Sequence, residues 1–162
     1  MSDTPAYGEG ETMLERVRAM LQFTPHARAL GIEVTRLERA RAWGKAPYRP
    51  ELVGDPDTGV IAGGVLTTFL DQLCGAAALA ALDTPAIIAT IDLRIDYMRP
   101  AQPGRDILAE AHCYKAGKSV AFVRAAAYED DPDNPIAHAV TAYMINSNAG
   151  RRPGANLRER KT

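Results

Sequence analysis

The chain has 162 residues, of which 46% are apolar and 24% charged, the size and make-up of one globular domain that buries its own core. Lysine and arginine number 19 against 20 aspartates and glutamates, a net charge of -1, and this excludes the basic balance expected for binding nucleic acid or an anionic membrane surface. Cys74 and Cys113 lie far apart in apolar surroundings without metal-type spacing, so both are expected as buried thiols rather than as ligands, a disulfide or a nucleophile.

Residues 1–10 are acidic and contain glycine, and are expected to be disordered. They lack the basic start and apolar stretch of an export signal, which points to the cytoplasm. From Glu11 to Phe23 the spacing of Met13, Val17, Met20 and Leu21 predicts an amphipathic helix. Pro25 and Gly31 break it. Ile32, Val34 and Leu37 partly alternate with polar residues, and Ala42 to Tyr48 reads as a second strand, so a hairpin is expected. Pro50 to Thr58 is rich in turn formers and reads as a loop.

Val60 to Leu82, "VIAGGVLTTFLDQLCGAAALAAL", is almost unbroken apolar and small residues and holds one charge, Asp71. Its length would span a bilayer. Against that, Asp71 would sit near the bilayer centre at a cost of about 2.5–3.5 kcal/mol, and the segment is rich in glycine, alanine and threonine rather than leucine. A helix opened by Gly63 and Gly64 and wrapped by its own protein is the expectation, with no membrane partner.

The second half is strand-like throughout. In "AIIATIDLRIDYMRP", Ala89, Ile91, Leu93, Ile95 and Tyr97 fall on one face, and Thr90, Asp92, Arg94 and Asp96 on the other. Ile107, Ala109, Ala111 and Cys113 mark the buried side of the next strand, and "AGK" at 116–118 is a tight hairpin. "SVAFVRAAAYED" and "IAHAVTAYMIN" are two further strands, and the tail from Ser147 is polar and basic. Short turns between consecutive strands require antiparallel pairing. The class is α+β: one antiparallel sheet curled around one long central helix, in a single domain over 11–146.

The segments "GVIAGGVLTTFLDQLCGAA", "TIDLRIDYMRPAQPG" and "AGKSVAFVRAAAYED" together resemble the PaaI-like acyl-CoA thioesterases of the hotdog fold, over roughly Gly31 to Asn146. That resemblance implies a His-Gly-Gly at the helix entry, an acid seven residues after the second glycine and a strand of the form T-x-D-L-x-x-x-Y-x-R-P-A. The glycines are Gly63 and Gly64, the acid is Asp71 and the strand runs from Thr90 to Ala101, but Ala62 stands where the histidine is expected.

Under this resemblance the chain hydrolyses an acyl-CoA to a free acid and CoA, with no cofactor and no metal. The free amides at Gly63, Gly64 and Val65 would stabilise an oxyanion. Asp71, two turns into the helix, would act as general base or as nucleophile. The residues alone leave two other readings open: glycines that only turn the chain, and an aspartate that only pairs with a donor. Thr90 is either a helper to the attacking water or an ordinary strand threonine. Ala62 would lie at the substrate, and Arg94, Arg99, Lys118, Ser119 and Arg124 are candidates for the CoA phosphates. The expected assembly is a homodimer or dimer of dimers, sheets joined edge to edge, with each site shared between subunits. The alternative is an acyl-CoA-binding relative with weak hydrolysis, motivated by Ala62. His26, His112 and His138 are scattered without ligand spacing, and no G-x-S-x-G, Walker or Rossmann pattern occurs.

Overall fold

The structure is a computed structural model that describes residues 24–84 and 86–146, together with 12, 15–17, 19 and 20. The expected disordered start at 1–10 and the polar tail from Ser147 lie outside the described residues, as do Met13 and Leu21 of the first expected helix. Residues 15–17, 19 and 20 are helical and Val17 is buried. Helix α1 (Pro25–Leu30) begins with proline at its first position and ends at Gly31, whose φ of 70° turns the chain. A side chain at Gly31 would be strained there and would also press within 3.0 Å of Pro47.

Strands β1 (Glu33–Glu38) and β2 (Arg41–Ala46) form the expected hairpin. The predicted loop after them holds more order than its turn residues suggest. A 3-10 turn, Pro50–Leu52, leads into a small hairpin of β3 (Val53–Asp55) and β4 (Val60–Ile61). Asp55 closes that hairpin by accepting from the Asp57 amide and the Thr58 hydroxyl, which holds its pKa below the usual carboxylate value. Helix α2 (Gly63–Ala80) follows, then β5 (Ile87–Tyr97), β6 (Ile107–Ala116), β7 (Val120–Tyr128) and β8 (Ala137–Asn146). The six long strands make one antiparallel sheet in the order β1-β2-β6-β7-β8-β5.

Helix α2 lies against one face of this sheet because that face is lined with small residues. Ala42, Ala111, Ala125 and Ala139 are aligned across β2, β6, β7 and β8, and so are Gly44, Ala109, Ala127 and Ala137. The helix answers with Phe69, Leu70 and Leu73, all fully buried, each worth about 1.5–3 kcal/mol of burial. A Cβ on Gly44 would stand 2.8 Å from the Glu33 carbonyl and 2.9 Å from the Leu73 side chain, so helix and sheet touch here with no room for one methyl group. Cys74 and Cys113 are free and buried. Burial, with Asp71 and Cys113 nearby, pushes the Cys74 thiol far up and keeps it inert. Among the described residues α2 is the one helix of membrane-crossing length and apolarity, and it is packed inside the sheet.

Beyond the end of β5 the chain is tied down by Arg99. All five of its N–H donors are engaged: two on the Glu129 carboxylate at 3.1 and 2.5 Å, two on Asn134 and one on the Pro100 carbonyl. Glu129 is buried, its side chain only 1% exposed. Burial pushes its pKa up, but Arg99 and the Gln102 amide outweigh that and hold it below the usual carboxylate value. Arg99→Ala therefore strands a buried charge and costs about 3–5 kcal/mol in urea unfolding at neutral pH. Because the folded pKa lies below the unfolded one, the contribution is complete above about pH 4.5 and fades as pH falls through the folded value. Unfolding repeated in that acid range narrows the gap between wild type and Arg99→Ala.

Candidate active site

Three elements bring one carboxylate and two hydroxyls together. Asp71 stands half-buried on the one face of α2 that the sheet does not cover. Thr90 on β5 donates to Asp71 Oδ1 at 2.9 Å. Tyr143 on β8 donates to the Asp71 backbone carbonyl at 2.7 Å, with Oδ1 also within 3.3 Å. Burial pushes the Tyr143 phenol above its ordinary pKa, with Cys74 and Asp71 adding to the effect, so it stays a protonated donor. A cavity of about 540 Å³ opens beside these groups, lined by Asp71, Gln72, Gly75, Leu79, Ile88 and Thr90 among others.

Thr90 sits on the helix side of the sheet, although simple alternation along β5 puts it opposite Leu93. A bulge between Thr90 and Asp92 changes the phase. Thr90 therefore pairs with the buried Tyr143, while Ile91 is left outside at 59% exposed.

At the entry to α2, Ala62 is the N-cap and makes no side-chain cap bond. A serine, threonine or aspartate there would occupy one of the first helical amides, and alanine leaves them open. Of the three expected oxyanion donors, Val65 is removed: its amide already donates to the Ala62 carbonyl at 3.0 Å. The amides of Gly63 and Gly64 have no acceptor among the described residues. Gly64 faces open space, with nothing within 4 Å of where a Cβ would stand. The Tyr97 hydroxyl donates to the Gly63 carbonyl at 3.0 Å and fixes the turn. A second cavity, about 320 Å³, opens here between Gly63, Leu66, Tyr97 and Met98.

The remaining candidates separate. Lys118 and Ser119 are exposed in the β6–β7 hairpin, at the end of the sheet where Ala121 aligns with Tyr143 and Tyr143 with Thr90. Arg94 and Arg124 lie on the opposite face of the sheet from Asp71, Arg94 paired with Asp96 at 2.9 Å. Arg99 has no donor left for a phosphate, because Glu129, Asn134 and Pro100 take all of them. Tyr143 was not singled out from the sequence. The signal was a tyrosine at an inward position of β8, in line with Ala137, Ala139 and Thr141.

An antiparallel sheet wrapped around one long helix defines a hotdog fold. The thioesterase superfamily model matches residues 58–136. The medium/long-chain acyl-CoA thioesterase YigI of Salmonella typhimurium is 31% identical over 134 residues, covering 75% of this chain and 85% of the relative. Human acyl-coenzyme A thioesterase 13 is 30% identical over 112 residues, covering 69% of this chain and 79% of that protein. A crystal structure from Pseudomonas aeruginosa matches with a TM-score of 0.75 at 41% identity, over 82% of this chain and 98% of the other. The chain belongs to the thioesterase superfamily, and it is a thioester hydrolase of the hotdog fold.

A hydrogen bond to a charged group is worth about 1.5–3 kcal/mol. Thr90→Val, which deletes the donor to Asp71 without changing shape, is thus expected to lower thioester turnover by about 10-fold or more. Thr90→Ser restores the rate. Thiol-release kinetics on the three proteins measures both effects.

Proposed function

We propose that the protein hydrolyses acyl-CoA thioesters of medium to long chain, with Asp71 acting on a carbonyl held by the Gly63 and Gly64 amides of a second copy. The chemistry needs two groups at one carbon: a donor pair for the developing oxyanion and a carboxylate that activates water or attacks directly. Within one chain these groups are too far apart. Asp71 and Gly64 are seven residues apart on one helix face, so about 10 Å separates them along the axis. A reacting carbonyl must sit about 3 Å from each partner.

That separation is the observation that carries the shared-site reading. The exposed edge of β5 supports it. The strand is 11 residues long and among the described residues pairs only with β8, and an unpaired edge of that length is a template for a second strand. Ile87, Ile91, Tyr97 and Met98 are each 46–60% exposed along it. Two copies joined through β5 would set each Asp71 toward the other's helix entry. The acyl chain is assigned to the cavity beside Asp71, whose far wall of Gly75, Leu79, Ile87 and Ile88 is apolar and suits an alkyl chain. The names of the YigI relatives favour medium and long chains over short ones. Lys118 and Ser119 are the remaining candidates to meet the CoA phosphates, as a charge and a hydroxyl on an exposed hairpin. No metal or redox group enters this scheme.

The first test is thiol release from a panel of acyl-CoAs. Wild type is expected to turn over the medium and long members, and Asp71→Asn to lose at least about 100-fold in kcat. A wild type inert on the whole panel, yet stabilised against heat by CoA esters, would replace hydrolysis with binding. The shared site is tested by complementation. Asp71→Asn and Gly64→Val are each inactive alone, and Gly64→Val folds because nothing in its own chain meets the added side chain. Co-refolded in equal amounts, they regain roughly a quarter of wild-type activity, since mixed dimers hold one intact site. A site contained in one chain regains nothing.

A further inference from the structure

The solvent face of the sheet, on the far side from Asp71, carries a second cluster to which the scheme above gives no role. The register aligns Arg41 of β2 with His112 of β6, His112 with Arg124 of β7, and Arg124 with Val140 of β8. His112 therefore stands between the two guanidinium groups, which lie two strands apart. Neither Arg41 nor Arg124 has a carboxylate within ion-pair distance among the described residues. A cavity of about 580 Å³ opens over this row, its wall including Arg41, Glu110, His112, Arg124 and His138. Glu110 is the single carboxylate of that lining, so two guanidinium groups leave it net positive. His112 Nδ1 is closed off from solvent and has no hydrogen-bond partner among the described residues. Burial and then the Arg41 and Arg124 charges hold the His112 pKa below the ordinary imidazole value, with Glu110 pulling the other way.

Beside the basic row stand two exposed rings. Tyr114 and Phe122 are 49% and 37% exposed, with centroids 6.4 Å apart. The Arg124 guanidinium lies 6.0 Å from the Tyr114 ring centre, so it bridges the rings and the cationic row. Guanidinium groups bind phosphate through paired N–H bonds, and exposed aromatic faces take a flat base.

We propose that this face is a nucleotide site, with the phosphates on Arg41, His112 and Arg124 and the base against Tyr114 and Phe122. Two sources share this chemistry, a free nucleoside diphosphate and the nucleotide end of CoA itself.

The test follows the His112 and His138 imidazole resonances by NMR while ADP, inorganic pyrophosphate or CoA is added to the full chain. ADP is expected to give a saturable shift and to raise the His112 titration midpoint. Pyrophosphate, lacking the base, binds roughly 10-fold more weakly. The double variant Arg41→Gln/Arg124→Gln weakens ADP by at least about 10-fold, and Asp71→Asn leaves it unchanged. Arg41→Lys/Arg124→Lys keeps charge and loses the paired donors; it gives an intermediate affinity and replaces the glutamine pair should that fail to fold. The sources separate in kinetics. A rise in KM for acyl-CoA in the double variant assigns the site to the substrate's own nucleotide, and an unchanged KM with ADP still bound by wild type assigns it to a free one. Absence of a saturable shift at millimolar ADP overturns the proposal, as does an equal shift in the double variant. Resonances that follow protein concentration instead of ligand also overturn it, because a second copy then covers the face.

Discussion

The contact of α2 with the alanine rows of β2, β6, β7 and β8 is what the rest of the molecule depends on. Small side chains on four adjacent strands let the helix backbone approach so closely that Gly44 has no space for a methyl group. Such packing removes Phe69, Leu70 and Leu73 from water completely, and it fixes which face of the helix stays outside. The free face holds Gly64, Thr67 and Asp71. A lone carboxylate in the most apolar segment of the chain is tolerated because it is turned away from the alanine rows, toward the edge strand. Thr90 and Tyr143 then give it donors, which burying it in the core would not.

The architecture was legible in the sequence because alternation is a strong signal where one face is buried. Ile107, Ala109, Ala111 and Cys113 read as inward and are. Two bulges limited the reading of faces. In β1 the bulge between Val34 and Arg36 lets Val34 and Leu37, an odd number of residues apart, both turn toward the core. In β5 the bulge at Ile91 reverses the side on which Thr90 falls. An extra residue leaves no trace in composition, so strand parity assigns the wrong face on one side of it. The β3–β4 hairpin was hidden for another reason. Its order comes from Asp55 side-chain bonds over a few residues rather than from any hydrophobic period.

Side-chain roles that depend on long-range partners were the least legible. Arg99 is one charge in a strand motif until Glu129 and Asn134, some thirty residues on, are brought to it. It is then a strut rather than a phosphate ligand. The same holds for His112 and His138, which look scattered along the chain and share one cavity wall once β6, β7 and β8 are in register. Asp71 stands out in the sequence because its oddity is local, a charge among apolar neighbours. Tyr143 was not, because a tyrosine in a strand is ordinary until its hydroxyl meets the helix.

Ala62 bears on the chemistry in a way that the missing histidine alone does not suggest. A polar N-cap would spend its side chain on the first amides of α2, and a histidine would add a titrating donor near them. Alanine does neither. The Gly63 and Gly64 amides therefore remain the donors at the helix entry, held in place by Tyr97 on the Gly63 carbonyl and by the close contact of Gly54 with Ala62. Backbone amides at a helix start keep their dipole at every pH. A site that relies on them for the oxyanion loses one titrating group and keeps its geometry.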